Sequence, residues 1–174
     1  MSDQKKQKNK DNITTKKVED YKSRPFKAIM HNRKALYEYE VIQKIEAGIV
    51  LVGTEVKSLR AGKCNLQDSY AGFVDKHSFE IVLYNLQISE YEFGNIQNHS
   101  TKRPRKLLIN HTEAKKLKTA INEKGYTIVP TMIYFSGHLV KIEIALVKPK
   151  KLHDKRENTK DREVKRTIER ALKG

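Results

Sequence analysis

Glu46–Ala71, EAGIVLVGTEVKSLRAGKCNLQDSYA, is the stretch whose reading decides the fold. Gly48 opens a short apolar run, Ile49-Val50-Leu51-Val52, with the signature of a buried strand. Gly53 turns the chain, Thr54 is placed to cap a helix, Glu55 suits its positive end, and Gly62 stands just beyond its C-terminus. Val56 and Leu59, three apart, give that helix one apolar stripe, with Lys57 and Arg60 on the other side. Two turns of helix are marginal in isolation, so this one must pack on something larger. A strand, a capped helix and a new strand from Ser69 together describe the plugged end of a small β-barrel.

Working outward, Tyr39–Glu46 alternates, with Tyr39, Val41 and Ile45 on one face and Glu40, Lys44 and Glu46 mostly on the other, as a half-buried strand does. Downstream, 69–74 and 79–84 flank Asp75-Lys76-His77-Ser78, a hairpin turn. The polar segment from Ser89 to Pro104 is long for a connection and is expected to be a binding loop or a mobile one. Residues 106–110 form a short strand, and Thr112 can cap the helix that follows. That helix buries Ala114, Leu117 and Ile121, wets Lys115, Lys116 and Lys118, and ends at Gly125. Residues 126–135 and 139–147 make a second hairpin around Ser136-Gly137-His138. Val140, Ile142, Ile144 and Leu146 share a face of its last strand, so Lys141 and Glu143 point the other way. Pro130 predicts an edge or a bulge in its own strand. The expected class is all-β with accessory helices: a closed antiparallel β-barrel of the oligonucleotide-binding kind, with an open sandwich as competitor.

The formal net charge of +15 over 174 residues is unevenly spread. Residues 1–27 carry nine Lys/Arg against four Asp/Glu, and residues 148–174 carry eleven against five, leaving only +4 for the middle. Basic arms at both ends seek polyanions, and nucleic acid is the expected partner; solvated solubility tails are the alternative. The division that follows is a disordered basic N-terminal extension (1–27), an RNA-binding β-barrel domain (28–147) and a basic C-terminal tail (148–174). In the tail Val164, Ile168 and Leu172 recur every four residues, a thin stripe on an ionic segment. It is expected to be disordered alone and helical in an anionic groove, the alternative being a helix docked on its own domain.

Cys64 is the only cysteine, so no intramolecular disulfide can form and a cytoplasmic address is expected. No apolar run reaches the roughly 20 residues of a membrane span, and no apolar core of a secretory signal stands near the N-terminus. Catalysis is the rival function. The six histidines make no metal-ligand pair with one another or with Cys64, although His99 and His111 could act as an acid and a base of a nuclease. Gly48-x4-Gly53 is half a phosphate loop, but Thr54-Glu55 stands where Lys-Ser/Thr is required. The expectation is a protein that is not an enzyme, with no cofactor and no metal site. A ribosomal or general RNA-binding protein built on the same barrel is the other competitor.

Several blocks have a specific match. Glu46-Ala47-Gly48, the run from Gly53 to Lys63, Asp68-Ser69-Tyr70, Arg105-Lys106-Leu107-Leu108, the run from Gly125 to Pro130, and Asp154-Lys155-Arg156 resemble the signature of the SmpB (SsrA-binding) family of bacterial trans-translation. The resemblance covers residues 32–166 in the family's order and spacing. It implies a closed barrel that binds the tRNA-like domain of transfer-messenger RNA (tmRNA). It further implies delivery of alanyl-tmRNA, with elongation factor Tu acting indirectly, to stalled ribosomes by tRNA mimicry. The C-terminal tail would sense the empty mRNA channel among ribosomal RNA of both subunits, and the protein would act as a monomer away from membranes.

By position the resemblance assigns RNA binding to Tyr37, Glu46, Leu108, Asn110, Lys141, Lys148, Lys150 and Lys151, and contact with the decoding site to His153, Asp154, Lys155 and Arg156. Asn110 can donate and accept at a nucleotide edge, and Lys141 can neutralise phosphate. Glu46, which repels phosphate, fits only by accepting from base amines or a 2′-hydroxyl. The competing readings are a plain surface carboxylate for Glu46, a turn residue for Asn110, a core position for Leu108 and a solvated lysine for Lys141. Three positions depart from the family: Tyr37 stands where histidine is usual, Thr101 where proline is common, and Pro149 in place of the glycine of Gly-Lys-Lys.

Overall fold

The computed structural model describes residues 25–94 and 98–150. Among these residues nine strands and three helices follow one another as β1 (Phe26–His31), α1 (Arg33–Glu38), β2 (Tyr39–Ile49), α2 (Gly53–Arg60), β3 (Cys64–Asn65), β4 (Tyr70–Phe73), β5 (Ile81–Tyr84), β6 (Gln87–Ile88), β7 (Arg105–Leu108), α3 (His111–Lys124), β8 (Thr127–Ser136) and β9 (Leu139–Pro149). Seven strands form one sheet in the order β1-β8-β4-β5-β7-β2-β9, and β8 pairs with β9 as well; β3 and β6 make a separate two-stranded sheet. All of these pairings are antiparallel. The architecture is mostly β, an oligonucleotide-binding-like sheet with few helices.

β2 and β9 are its spine, paired from Tyr39–Pro149 to Gly48–Lys141 with one register shift between Val41 and Gln43. Ile45, Ala47 and Ile49 point into the core while Lys44 and Glu46 face outward, as period-2 alternation requires. β2 does not stop at Glu46: it continues through Gly48 to Ile49. The apolar run after Gly48 is therefore no strand of its own, and Val50 and Val52 are 44% and 46% exposed. Gly48 eases the close approach of the two strands there, since a Cβ would stand a tight 3.3 Å from Leu108 Cβ on the neighbouring strand.

α2 begins one residue before the expected cap. Thr54 lies inside the helix, and the Glu55 carboxylate reaches back to accept from the Val52 N–H at 2.9 Å. Its C-terminal end is as expected: Gly62 takes a φ of +72°, and its N–H donates to the Leu59 carbonyl at 3.0 Å. Leu59 is buried in the core and Val56 packs against it. In α3 the cap is Asn110, not Thr112; its Oδ1 accepts from the Thr112 N–H at 3.2 Å, while Ala114 and Leu117 are buried and Gly125 closes the helix. The two hairpins form where expected, β4 with β5 and β8 with β9. In the first turn Asp75 Oδ1 accepts from the His77 and Ser78 N–H groups.

Pro130 marks a bulge, not an edge. β8 is paired on both sides, and its register against β9 shifts between Pro130 and Met132. β9 buries more than its even positions: Ala145 and Val147 are buried beside Val140, Ile142, Ile144 and Leu146. The cause is α1, whose Ala35 packs with Val129, Ala145 and Val147 on the opposite face. Buried Asn32 fixes α1. Its Nδ2 donates to the Leu66 and Pro130 carbonyls at 3.0 and 3.1 Å, and its Oδ1 accepts from the Ala35 N–H at 3.0 Å. No helix among the described residues is long and apolar enough to cross a membrane.

Candidate nucleic-acid interface

Four of the assigned RNA-facing residues lie close together where β7, β2, β9 and β8 run side by side. Gly48 is the meeting point, paired with Leu108 on one side and Lys141 on the other. Lys141 in turn stands opposite Tyr134 of β8. Two residues before Gly48, on the same strand, the Glu46 carboxylate accepts from the Tyr134 hydroxyl through Oε2 and from the Lys141 ammonium through Oε1. Leu108 points outward with 54% of its surface exposed, while Leu107 is buried, so the core reading of Leu108 fails. Asn110 follows at the start of α3. Both of its side-chain hydrogen bonds, from the Thr112 N–H and hydroxyl, end on Oδ1, which leaves the amide nitrogen as the donor it can present.

Partial burial raises the Glu46 pKa, but the hydrogen bonds from Lys141 and Tyr134 outweigh it and hold the carboxyl below its ordinary value. Burial, reinforced by the neighbouring Glu46 carboxylate, pushes the Tyr134 hydroxyl well up, so it keeps its proton and donates. Beside this group, Glu143 faces Glu46 across the β2–β9 pair. Lys44 Nζ at 3.0 Å and the hydroxyl of Thr131 at 2.5 Å neutralise and orient it. The outer face of β2 and β9 therefore carries alternating, internally compensated charges.

Tyr37, Lys148 and Lys150 are placed elsewhere. Lys141 and Lys148 are seven residues apart on one strand, roughly 24 Å at about 3.4 Å per residue. At this far end Lys148 pairs with Glu40 at 3.0 Å, and Lys150 is tied to α1, its N–H donating to the Glu38 carbonyl at 3.1 Å and its Nζ to the Leu36 carbonyl at 3.3 Å. Tyr37, in α1, is half-buried. Lys151, His153, Asp154, Lys155 and Arg156 lie outside the described residues, as do the first 24 residues and the rest of the tail.

The segment after Ser89 is anchored where it is described. His99 is buried, its Nε2 against the Ile88 carbonyl at 3.2 Å and its Nδ1 against the Thr54 hydroxyl at 2.9 Å. A carbonyl only accepts, so Nε2 carries a proton. His111 stacks edge-on against Phe79, 4.6 Å between ring centres. Arg103 and Arg105 both bind buried Glu55, through Nε–Oε1 distances of 2.9 and 2.8 Å, and Arg105 also donates to the carbonyls of Leu86, Arg103 and Thr101. This ionic knot joins α2 to the start of β7. Among the described residues no group of three or more His, Cys, Asp or Glu is placed to hold a metal.

Tyr134 and the Glu55–Arg103–Arg105 knot escaped the sequence reading. Tyr134 sits in a strand whose neighbours are apolar and buried, so its hydroxyl gives no periodic signal. Glu55 pairs with residues 48 and 50 positions away, beyond the reach of any local pattern.

The family model described as SmpB protein matches residues 29–174. An SsrA-binding protein of Pelobacter propionicus is 52% identical over 147 residues, covering 84% of this chain and 95% of its own. One from Magnetococcus marinus is 51% identical over 148 residues, covering 85% and 97%. Among solved structures, a chain from "tmRNA-SmpB: a journey to the center of the bacterial ribosome" superposes with a TM-score of 0.59 at 43% identity, covering 71% of this chain and 85% of that one.

Proposed function

The chain belongs to the SmpB protein family, and from that premise we propose that it binds tmRNA and serves trans-translation on stalled ribosomes. The observation that carries the reading is the convergence of Glu46, Lys141 and Leu108 around Gly48, with Asn110 two residues on from Leu108. Hydrogen-bonding groups of both polarities beside an exposed apolar side chain suit the edges and sugars of folded RNA better than a bare phosphate track. Tyr37, Lys148 and Lys150, at the far end of the same strand pair, extend the footprint along the RNA backbone. The sheet that presents them is a closed barrel, a reading supported by the additional pairing of β8 with β9. The protein acts as a cytoplasmic monomer and breaks no bonds. It delivers alanyl-tmRNA by tRNA mimicry, in company with elongation factor Tu, and its tail with His153, Asp154, Lys155 and Arg156 senses the empty mRNA channel.

A competition experiment tests the RNA assignment. The tRNA-like domain of tmRNA should displace a labelled complex far better than an equal mass of unrelated structured RNA. Equal displacement by both would leave only a general RNA-binding protein. The tail is tested separately: truncation before Asp154 should preserve RNA affinity and abolish peptide tagging on stalled ribosomes, and a collapse of affinity would refute that division.

A further inference from the structure

We propose that Tyr134 is a positioning residue for RNA recognition: its hydroxyl fixes the Glu46 carboxylate, and through it the Lys141 ammonium, as a preformed pair that reads neutral hydrogen-bonding groups of RNA. The inference rests on the reading of this face as the RNA interface. The Tyr134 ring is buried, in tilted contact with Phe26 at 4.9 Å between centroids, so its hydroxyl has a fixed place. The side chain it holds lies at the surface, Glu46 being 53% exposed, with the Lys141 ammonium as its other partner. Lys141 is only 15% exposed and its charge is already met by Glu46. A phosphate approaching the pair meets a carboxylate as well as an ammonium and gains little. What gains is a donor that can use a remaining carboxylate lone pair, since each oxygen accepts more than one hydrogen bond. A ribose 2′-hydroxyl and the guanine 2-amino group share that chemistry. Counterion release then falls mainly to cations other than Lys141.

The full chain and its Tyr134→Phe, Glu46→Gln and doubly substituted variants would be titrated with a transcript of the tRNA-like domain across a salt series. Loss of one charge-assisted hydrogen bond predicts roughly tenfold weaker binding for Tyr134→Phe, with the salt slope unchanged. Glu46→Gln removes the partner of Lys141 and should steepen the slope by about one charge. The double variant should bind no more weakly than Glu46→Gln alone, because Tyr134 acts through Glu46. Two altered RNAs, one 2′-deoxy and one with inosine for guanosine, identify the group read: the parent should lose affinity for one of them, and Tyr134→Phe should lose that discrimination. A mere loss of stability, followed by thermal melting, would leave the discrimination ratio intact. Tyr134→Phe binding within about twofold of the parent, or effects that add in the double variant, would overturn the inference while the RNA assignment stands. A parent with no preference for the tRNA-like domain would overturn both.

Discussion

Arg105 donates from Nε to Glu55 Oε1 at 2.8 Å, and neither side chain exposes any surface to solvent. Glu55 also accepts from Arg103 and from the Val52 N–H, so both oxygens are satisfied. Removing one partner of a buried ion pair strands the others, at a cost of about 3–5 kcal/mol. Glu55→Ala should therefore lower the free energy of urea unfolding by that amount, and Arg105→Met by a similar one. Replacing Glu55 and Arg105 together with apolar residues of like volume should recover much of the loss. If both single variants unfold within 1 kcal/mol of the parent, on the order of an exposed pair, the knot does not hold α2 to β7.

The same carboxyl sets a pH dependence. Burial raises the Glu55 pKa, but the hydrogen bonds from Arg103, Val52 and Arg105 and the charge of Arg105 outweigh it, so its folded value lies below the ordinary one. A carboxyl depressed on folding contributes stability that is complete above its unfolded pKa, about 4.3, and is lost as pH falls through the folded value. On acidification from neutral pH the parent should lose more stability than Glu55→Gln, and the gap between them should narrow below pH ~4. A gap that stays constant down to the acid limit would sink this account.

Asn32 makes a second long-range tie, and the effect of its replacement depends on chemistry more than size. Asn32→Ala removes a helix cap and leaves the Leu66 and Pro130 carbonyls without their donor, an expected loss of about 2–4 kcal/mol. Asn32→Asp keeps the cap acceptor but places a buried carboxylate against those two carbonyls. It should be at least as destabilising as alanine at neutral pH and should recover in acid. Chemical denaturation at two pH values decides the order; an aspartate variant as stable as the parent would rule out the donor role.

What was readable in the sequence and what was not divides along one physical line. The hairpins, the C-terminal ends of α2 and α3, and the outward aim of Lys141 and Glu46 follow from periodicity and from turn residues, which act over a few positions. β1 and α1 have no such pattern: the first lies beside β8, and the second is held by Asn32 reaching residues 34 and 98 positions away. β3 and β6 are two residues long, too short to show any period. Alternation in β9 correctly separated Lys141 from the core, yet missed Ala145 and Val147, because what covers the second face is a helix more than a hundred residues earlier. The assigned RNA-facing set was legible only by resemblance. That it divides into two groups along β9 required the register.

Cys64 packs against the hydrophobic core, and burial pushes its thiol up to about 11 from an ordinary 9.0. The thiolate is the reactive form, and its scarcity outweighs the greater nucleophilicity of a high-pKa thiolate, so at pH 8 the folded protein should alkylate at least roughly tenfold more slowly than the same chain in urea. Mass spectrometry of iodoacetamide-treated protein measures both rates. Equal rates would show that the thiol is not shielded.

Gly48 offers the sharpest separation of folding from binding. A Cβ there would stand 3.3 Å from Leu108 Cβ, a contact the neighbour must relieve by shifting a few tenths of an ångström. Leu108 is exposed and can yield at its tip, but its Cβ is fixed to the strand backbone. Gly48→Ala should therefore cost about 1 kcal/mol, and Gly48→Val, with two further methyl groups on the same face, about 2–3 kcal/mol. RNA affinity should fall in the same order, because both changes displace Leu108 within the proposed interface. Leu108→Gly, which alone removes that Cβ, should then recover part of the melting temperature lost in Gly48→Val, while leaving affinity low, since the apolar contact is gone. Should Gly48→Val bind RNA as the parent does, the meeting of β7, β2 and β9 around Gly48 is a structural seam and not the interface.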